Sequence, residues 1–88
     1  MRLDQYLQKT GIVKRRTVAK ELCDAGRVVI DGRPAKGSHE IREGEEFSVH
    51  FRDRRSNYKV KEVPAGNIRK DDRDRYVLLT KEELFHED

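Results

Sequence analysis

Residues 15–32 read RRTVAKELCDAGRVVIDG, a stretch that decides the fold because it gives in turn a basic helix, a helix stop, a strand and a tight turn. Gly26 stands where a glycine ends a helix by taking the left-handed conformation. The β-branched residues 28–30 favour a short buried strand. Asp31-Gly32 is a favoured pair for a type I′ turn, so the chain is expected to return antiparallel to that strand.

The helix within this stretch has an apolar side and a basic side. Its apolar positions recur at helical spacing, so we expect them to pack against the rest of the fold. They are Val18, Ala19, Leu22 and Ala25. Arg16 and Lys20 lie one turn apart on the opposite side and are expected to remain in water. The same pattern also fits an ordinary amphipathic helix on a protein surface.

Positive charge is concentrated in the N-terminal part of the chain. The net charge of the 88 residues is +3, but residues 1–36 carry +5 and residues 37–88 carry −2. Such an asymmetry favours a polyanion-binding half, although charged residues also serve solubility. We therefore expect a nucleic-acid partner.

The composition argues against several classes of protein. With 34% hydrophobic and 42% charged residues, one small domain has little apolar surface for a deep substrate pocket. No apolar run suits a membrane span, and no secretory signal is recognised. The lone Cys23 forms no internal disulfide, and no histidine completes a catalytic or zinc-ligand pattern with it. We expect a cytoplasmic, monomeric binding protein without enzymatic activity, cofactor or metal.

A shorter helix is predicted before the basic one. Its buried face is expected to consist of Leu3, Tyr6, Leu7 and Thr10. Asp4 falls in the first turn, where the helix dipole favours a carboxylate, and it is placed to orient a nearby arginine. Gly11 is expected to close this helix.

Strands are predicted on both sides of a basic hairpin tip. Because Pro34 cannot donate to a ladder, residues 33–35 are expected to form an edge strand. Alternating apolar residues predict a hairpin of residues 47–51 and 58–62. Its tip, residues 52–57, is a candidate for a secondary RNA contact. The cations proposed for this contact are Arg52, Arg54 and Arg55.

We divide the chain into a domain of residues 1–63 and a segment of residues 64–88. Within the segment, the mixed-charge residues 68–75 are expected to form an exposed linker or frayed helix. Residues 76–79 read as a short strand that adds to the sheet. The pattern at residues 80–83 is typical of a capping box, which predicts a final helical turn. The last five residues are expected to be a mobile acidic tail.

The basic residues are suited to RNA backbone. Arginine holds two phosphate oxygens with its planar fork, and A-form RNA is read through its shape, phosphates and 2′-hydroxyls. The chain has few aromatic residues for stacking on unpaired bases, so structured RNA is the expected ligand. The candidate RNA-binding residues are Arg2, Lys14, Arg15, Arg16, Lys20, Arg27 and Lys36. The candidate motif-supporting residues are Asp4, Gly26, Asp31 and Gly32.

The ordered runs RLDQYL, KRRTVAKEL, AGRVVIDGRPAK and IREGEEFSV resemble the S-four RNA-binding domain, or alpha-L motif, over residues 2–51. The resemblance implies a small α+β fold in which two N-terminal helices pack on a mainly antiparallel β-sheet. Among free-standing members, the chain is most similar to the bacterial RqcP (YabO) family of ribosome-associated quality control. By this resemblance, Arg2 and Arg16 match RNA-contact positions and Asp4 matches an acidic position of the motif.

The resemblance also implies partners. Proteins of this family bind large ribosomal subunits that carry stalled peptidyl-tRNA, and they work with RqcH in adding alanine to stalled chains. The expected partners are therefore large-subunit rRNA, tRNA and RqcH. One alternative is the heat-shock branch of the domain family, which has a longer basic C-terminal extension. Another is a ribosome-bound adaptor whose strand at residues 76–79 pairs with a protein partner.

Overall fold

The computed structural model describes residues 1–85 and has the α+β architecture expected from the resemblance. Its helices are α1 (Leu3–Lys9), α2 (Arg16–Asp24) and the single-turn α3 (Arg73–Tyr76), with a 3₁₀ turn at Lys70–Asp72. Its strands are β1 (Val28–Ile30), β2 (Arg33–Pro34), β3 (Glu46–His50), β4 (Arg54–Val60) and β5 (Val77–Leu84). They form one antiparallel sheet in the order β2-β1-β3-β4-β5, so Pro34 lies in an edge strand as predicted.

The core lies between α1, α2 and one face of the sheet. The predicted inner face of α1 is confirmed, because its members are all buried: Leu3, Tyr6, Leu7 and Thr10. The Tyr6 ring meets the Phe47 ring edge-on at 6.0 Å between centroids, and Phe47 stacks on Tyr58 at 5.4 Å. Aromatic pairs in these geometries stabilise a core beyond the area they bury. They fix α1 against the centre of the sheet.

Local signals placed the end of α2 and the following turn correctly. Gly26 has φ +73°, and its N–H donates to the carbonyl oxygen of Cys23 at 3.0 Å. The Arg27 N–H donates to the Leu22 carbonyl at 2.9 Å, which completes a Schellman motif. Asp31 and Gly32 both have positive φ, as a type I′ turn requires.

The predicted inner face of α2 is confirmed at Ala19 but is wrong at Val18 and Ala25. Val18 is 40% exposed, Ala25 is exposed and Leu22 is only half-buried. The buried residues of this helix are Ala19 and Cys23, one turn apart. These small side chains let α2 approach the rest of the core closely. The spacing pattern gave more weight to the larger apolar residues, which lie at the margin of the contact.

The predicted basic hairpin tip is shorter than expected. The Phe51 N–H donates to the Arg54 carbonyl at 2.8 Å, which closes the hairpin around residues 52 and 53. Residues 54–57 belong to β4, and Ser56 is fully buried. The arginine-rich composition suggested a loop. Residues 54–57 nevertheless form strand, because β3 and β5 supply hydrogen bonds on both sides of β4.

The chain after residue 64 differs most from the sequence prediction. The strand expected at residues 76–79 is confirmed from Val77 onward, while Tyr76 ends α3. β5 runs on to Leu84, so the predicted capping box and helical turn at residues 80–83 are wrong. Cross-strand pairing overrides the local signal, because Arg55 Nη2 lies 2.7 Å from Glu83 Oε2. The predicted tail begins inside β5 at Leu84, and its residues 86–88 lie outside the described residues.

The mixed-charge stretch at residues 68–75 is partly helical and is held at both ends. Lys9 Nζ donates to Asn67 Oδ1, and the buried Tyr6 hydroxyl donates to the Tyr76 carbonyl at 2.8 Å. This stretch therefore lies along α1. Among residues 1–85, no helix has the length and apolar character that crossing a membrane requires.

Candidate nucleic-acid interface

Asp4 is the centre of the strongest candidate site. Its side chain is 3% exposed and lies between two guanidinium groups. Arg2 places Nη2 3.1 Å from Oδ2 and Nε 3.3 Å from Oδ1, while Arg16 Nη2 lies 3.5 Å from Oδ1. The Gln5 N–H donates to Oδ1 at 2.7 Å. One buried carboxylate therefore fixes two arginines whose positions are 14 residues apart.

The two arginines remain available to an external anion. Their side chains are 48% and 50% exposed, although both touch Asp4. A guanidinium carries five N–H donors, and Asp4 takes only one or two from each. Because Asp4 already holds both guanidinium groups in place, their remaining donors lose less side-chain entropy when a phosphate binds.

Two lysines extend this basic surface. A groove of about 310 Å³ is lined by Arg2, Asp4, Arg16 and Lys20 together with Thr17. A neighbouring groove of about 410 Å³ shares Arg2 and Lys20 and adds Lys36. We call this continuous patch the Asp4 surface and define it by five residues. They are Arg2, Asp4, Arg16, Lys20 and Lys36.

The loop that carries Lys36 is docked on the first turn of α1. The Asp4 N–H donates to the Gly37 carbonyl at 3.1 Å, and the Leu3 N–H donates to the His39 carbonyl at 2.8 Å. Gly37 is buried directly against Asp4. The loop therefore positions Lys36 and also covers the carboxylate that organises the two arginines.

The other predicted RNA-binding residues lie elsewhere. Lys14 lines a separate groove with Lys9, Arg69 and Arg73, which we call the Lys14 groove. Arg15 is exposed at the N-cap of α2. Arg27 lies before β1, where its Nη1 donates to the His50 carbonyl at 3.4 Å. The sequence predicted one basic face. In the structure, its residues divide between the Asp4 surface and cations that lie elsewhere.

The predicted motif-supporting residues fall into two groups. Asp4 supports the site directly, through its contacts with Arg2 and Arg16. Gly26, Asp31 and Gly32 shape the backbone that follows α2 and do not line the grooves of the Asp4 surface. They affect the site only indirectly, by setting the path of the backbone after α2.

The arginines proposed for a secondary RNA contact have carboxylate partners, with one exception. Arg54 Nη1 lies 3.0 Å from Asp53 Oδ1, and Arg55 Nη2 lies 2.7 Å from Glu83 Oε2. The hydrogen bonds from Arg55 and then Lys81 lower the pKa of Glu83 below its usual value. Arg52 is exposed in the turn. A phosphate at this place would have to compete with the carboxylates already present.

Cys23 is a packing residue. It is 5% exposed, and burial, followed by the charges of Asp4 and Asp24, raises its pKa to about 11. The thiol is therefore protonated at neutral pH, whereas the thiolate is the reactive form. Within residues 1–85, no group of three or more His, Cys, Asp or Glu side chains is arranged to hold a metal ion.

Sequence reasoning missed Gly37 and the residues that join Lys14. The KGS run was interpreted only as a loop, because nothing in the local sequence shows that Gly37 touches Asp4. Arg69 and Arg73 reach Lys14 only through the long-range anchoring of their segment at Asn67. Their positive charges are visible in the sequence, but aspartates alternate with them, so a charge count does not single them out.

We expect Gly37→Ala to disturb the Asp4 surface. A Cβ atom there would lie 3.0 Å from Asp4 Oδ2, which is closer than Cβ atoms normally approach, so the carboxylate that holds the two arginines must shift by a few tenths of an ångström. The cost is expected to be about 1–3 kcal/mol of stability, the usual range for overpacking. RNA affinity should fall as well. Paired thermal melts and RNA-binding titrations measure both effects.

Gly66→Ala is the matched control. A Cβ at Gly66 meets no atom within 4 Å, and the residue has no positive φ. The change should be neutral or slightly stabilising, because it restricts the unfolded chain. Equal behaviour of the two variants would contradict the close contact between Gly37 and Asp4.

Comparison with known proteins identifies relatives over most of the chain. The family model of the S4 domain, the S-four domain of the sequence resemblance, matches residues 1–47. The RQC P-site tRNA stabilizing factor of Bacillus subtilis is 36% identical over 84 residues, which cover 96% of this chain and 98% of that protein. The factor of the same name from Helicobacter pylori strain 26695 is 36% identical over 78 residues, 88% of this chain and 93% of that protein.

Solved structures share the fold. The solution structure of the hypothetical protein HP1423 has a TM-score of 0.79 and 34% sequence identity, and the match covers 94% of this chain and 100% of that one. Heat Shock Protein 15 of Vibrio cholerae, described as trimeric, has a TM-score of 0.81 at 20% identity, covering 91% of this chain and 81% of that one. The second likeness is one of fold alone.

Proposed function

The chain belongs to the S4 domain family and, within it, to the family of RQC P-site tRNA stabilizing factors, and from this premise we propose that it is an RNA-binding protein of ribosome-associated quality control. It binds large ribosomal subunits that have been split from stalled ribosomes and that still carry peptidyl-tRNA. There it stabilises the tRNA by contacting both this RNA and large-subunit rRNA.

The observation that carries the proposal is the Asp4 surface. Two arginines fixed by one buried carboxylate, with Lys20 and Lys36 beside them, offer several donors at set positions. A duplex of A-form RNA presents phosphates and 2′-hydroxyls at equally fixed positions, so a rigid basic surface suits it better than flexible lysines would. The proposed RNA contacts of this surface are Arg2, Arg16, Lys20 and Lys36.

We place the role in binding and not in catalysis. The names of the relatives describe a stabilizing factor, and Cys23, the strongest nucleophile by residue type, is buried with a raised pKa. The proposed work of the protein is to hold an RNA arrangement in place. Other factors then carry out chemistry on the nascent chain.

The family assignment also suggests a protein partner and a cellular process. RqcH is the proposed protein partner, and the addition of alanine to stalled chains is the process that the protein supports. We propose that it acts in the cytoplasm as a monomer on each large subunit. Deleting the gene should therefore reduce alanine tails on stalled chains, and a copy with an intact Asp4 surface should restore them.

A protein-interaction adaptor is the second candidate. β5 is an edge strand of the sheet, and the apolar residues along and just after it are unusually exposed. They are Leu78, Leu79, Leu84 and Phe85. An open strand of this kind can pair with the edge of another protein. This alternative predicts an interaction that persists at high salt.

Salt dependence separates the two candidates. If the four cations of the Asp4 surface neutralise phosphates, the logarithm of affinity for purified large subunits should fall with the logarithm of salt concentration with a slope of about −3, from roughly 0.7–0.9 per phosphate. Co-sedimentation across a potassium chloride series measures this slope. An affinity that does not change with salt would exclude phosphate binding as the main contact and favour the adaptor.

A further inference from the structure

The Lys14 groove is a second concentration of positive charge, at the other end of α1. It is a depression of about 640 Å³ lined on one side by the C-terminal turn of α1 and Lys14, and on the other by Ile68, Arg69 and Arg73. The Asp4 surface begins at the first turn of the same helix. Because an α-helix rises about 1.5 Å per residue, the two ends of this seven-residue helix are about 9 Å apart along its axis.

The wall of the groove formed by residues 68–73 is fixed in place. Its N-terminal end is held by the hydrogen bond from Lys9 to Asn67. Its C-terminal end is held at Tyr76, whose carbonyl accepts from the Tyr6 hydroxyl at 2.8 Å and from the Lys61 N–H at 2.9 Å. The cations of this segment are therefore presented at a set distance from α1.

Three arginines of the sheet and its flanks are held by carboxylates, whereas, among the described residues, the cations of the Lys14 groove are not. Arg54, Arg55 and Arg75 each have a carboxylate partner within 4.0 Å. Across the described part of the chain, Lys9, Lys14, Arg69 and Arg73 form no ion pair. The aspartates of the neighbouring segment are exposed and do not pair with the groove either. They are Asp71, Asp72 and Asp74.

Cations that share a groove without ion pairs repel one another, and a bound polyanion removes that repulsion. The groove is open, is several times larger than a single phosphate, and spreads its cations over both walls. Gln8 and Thr10 add polar groups between them. These properties suit a stretch of nucleic-acid backbone better than a small anion.

We infer that the Lys14 groove is a second RNA-backbone site, separate from the Asp4 surface. The inference rests on the proposed function and deepens it, since it assigns a second set of residues to RNA binding. Two sites at opposite ends of α1 let one small domain hold two backbone segments at a fixed spacing. The shared chemistry is that of backbone phosphates, which can come from tRNA or from large-subunit rRNA.

The test uses the full chain with Lys14→Gln/Arg73→Gln, which removes two charges from the groove and spares Lys9, the anchor of Asn67. The matched control is Arg33→Gln/Lys59→Gln. Both residues are exposed cations of the sheet that line neither the Lys14 groove nor the grooves of the Asp4 surface. Binding is measured at one fixed salt concentration to three probes. They are purified bacterial tRNA, vacant large subunits, and large subunits carrying P-site tRNA.

We expect the groove variant to bind at least one probe about ten-fold more weakly than the control, and the magnitude of its salt slope to fall by about 1.4–1.8 for two lost phosphate contacts. Its melting temperature should match that of the control. If it does not, Arg69→Gln/Arg73→Gln replaces it in the same assays. A loss confined to tRNA identifies tRNA as the ligand, and a loss on vacant subunits identifies rRNA.

Unchanged affinity and slope with all three probes would overturn the inference. So would a loss that is seen only after a protein such as RqcH is added, because the groove would then bind protein. An Arg2→Ala/Arg16→Ala variant, measured in parallel, separates this failure from that of the proposed function. If it loses RNA binding while the groove variant does not, the Asp4 surface stands and only the second site falls.

Discussion

Replacing Arg2 and Arg16 together by alanine is expected to weaken binding to the large ribosomal subunit about a hundred-fold or more. A hydrogen bond to a charged group contributes roughly 1.5–3 kcal/mol, and every 1.4 kcal/mol is about a ten-fold change in affinity. The double change removes two such contacts from the Asp4 surface. Co-sedimentation with purified subunits measures the loss, and Arg33→Ala/Lys59→Ala controls for the change in net charge.

The same variant should also be less stable. Asp4 is 3% exposed, and without either guanidinium it keeps only the hydrogen bond from the Gln5 N–H. A buried group that loses its partners costs about 1–3 kcal/mol. Adding Asp4→Asn removes the unpaired charge and should restore much of the melting temperature without restoring binding. The assignment of the Asp4 surface to RNA binding would be wrong if the folded double variant still co-sedimented with large subunits as the unchanged protein does.

Leu7→Ala is expected to destabilise the fold more than any surface change. Leu7 is fully buried on the inner face of α1, and truncating a buried leucine costs about 2–5 kcal/mol. For a domain of this size, each kcal/mol lowers the melting temperature by about 4–8 °C, so a fall of roughly 10–30 °C is expected. A thermal melt followed by circular dichroism measures it.

Leu78→Ala makes the same chemical change at a position that is 48% exposed in β5. Its effect should stay within about 0.5 kcal/mol, as for most surface substitutions. Similar melting temperatures for the two variants would show that the core is not centred on α1. Leu22, which the sequence pattern also predicts to be packed, would give a weaker test because that residue is only half-buried.

Elements defined by neighbouring residues could be predicted from the sequence. The inner face of α1, the helix end at Gly26 and the turn at Asp31-Gly32 each depend on fewer than ten consecutive residues, and all three are confirmed. The two arginines of the Asp4 surface were also named in advance. Their identification came from the family resemblance as much as from charge.

Features that depend on distant contacts could not be predicted in the same way. Which side of α2 is buried depends on how closely that helix packs, and this depends on Ala19 and Cys23. The length of β5 depends on its pairing with β4, whose paired residues lie 17 to 30 positions earlier in the chain. Which cations share a groove with Lys14 depends on where residues 68–73 are anchored.

The hydrogen bond between Tyr6 and Tyr76 links the order of synthesis to the order of folding. Because a chain is synthesised from its N-terminus, the acceptor of the Tyr6 hydroxyl is made 70 residues after Tyr6 itself. Until then, the hydroxyl of a residue that is fully buried in the final fold has no partner within α1 and α2. A chain interrupted before residue 76 therefore lacks this contact of α1, and the folding of the domain is completed only after residue 76 has been made.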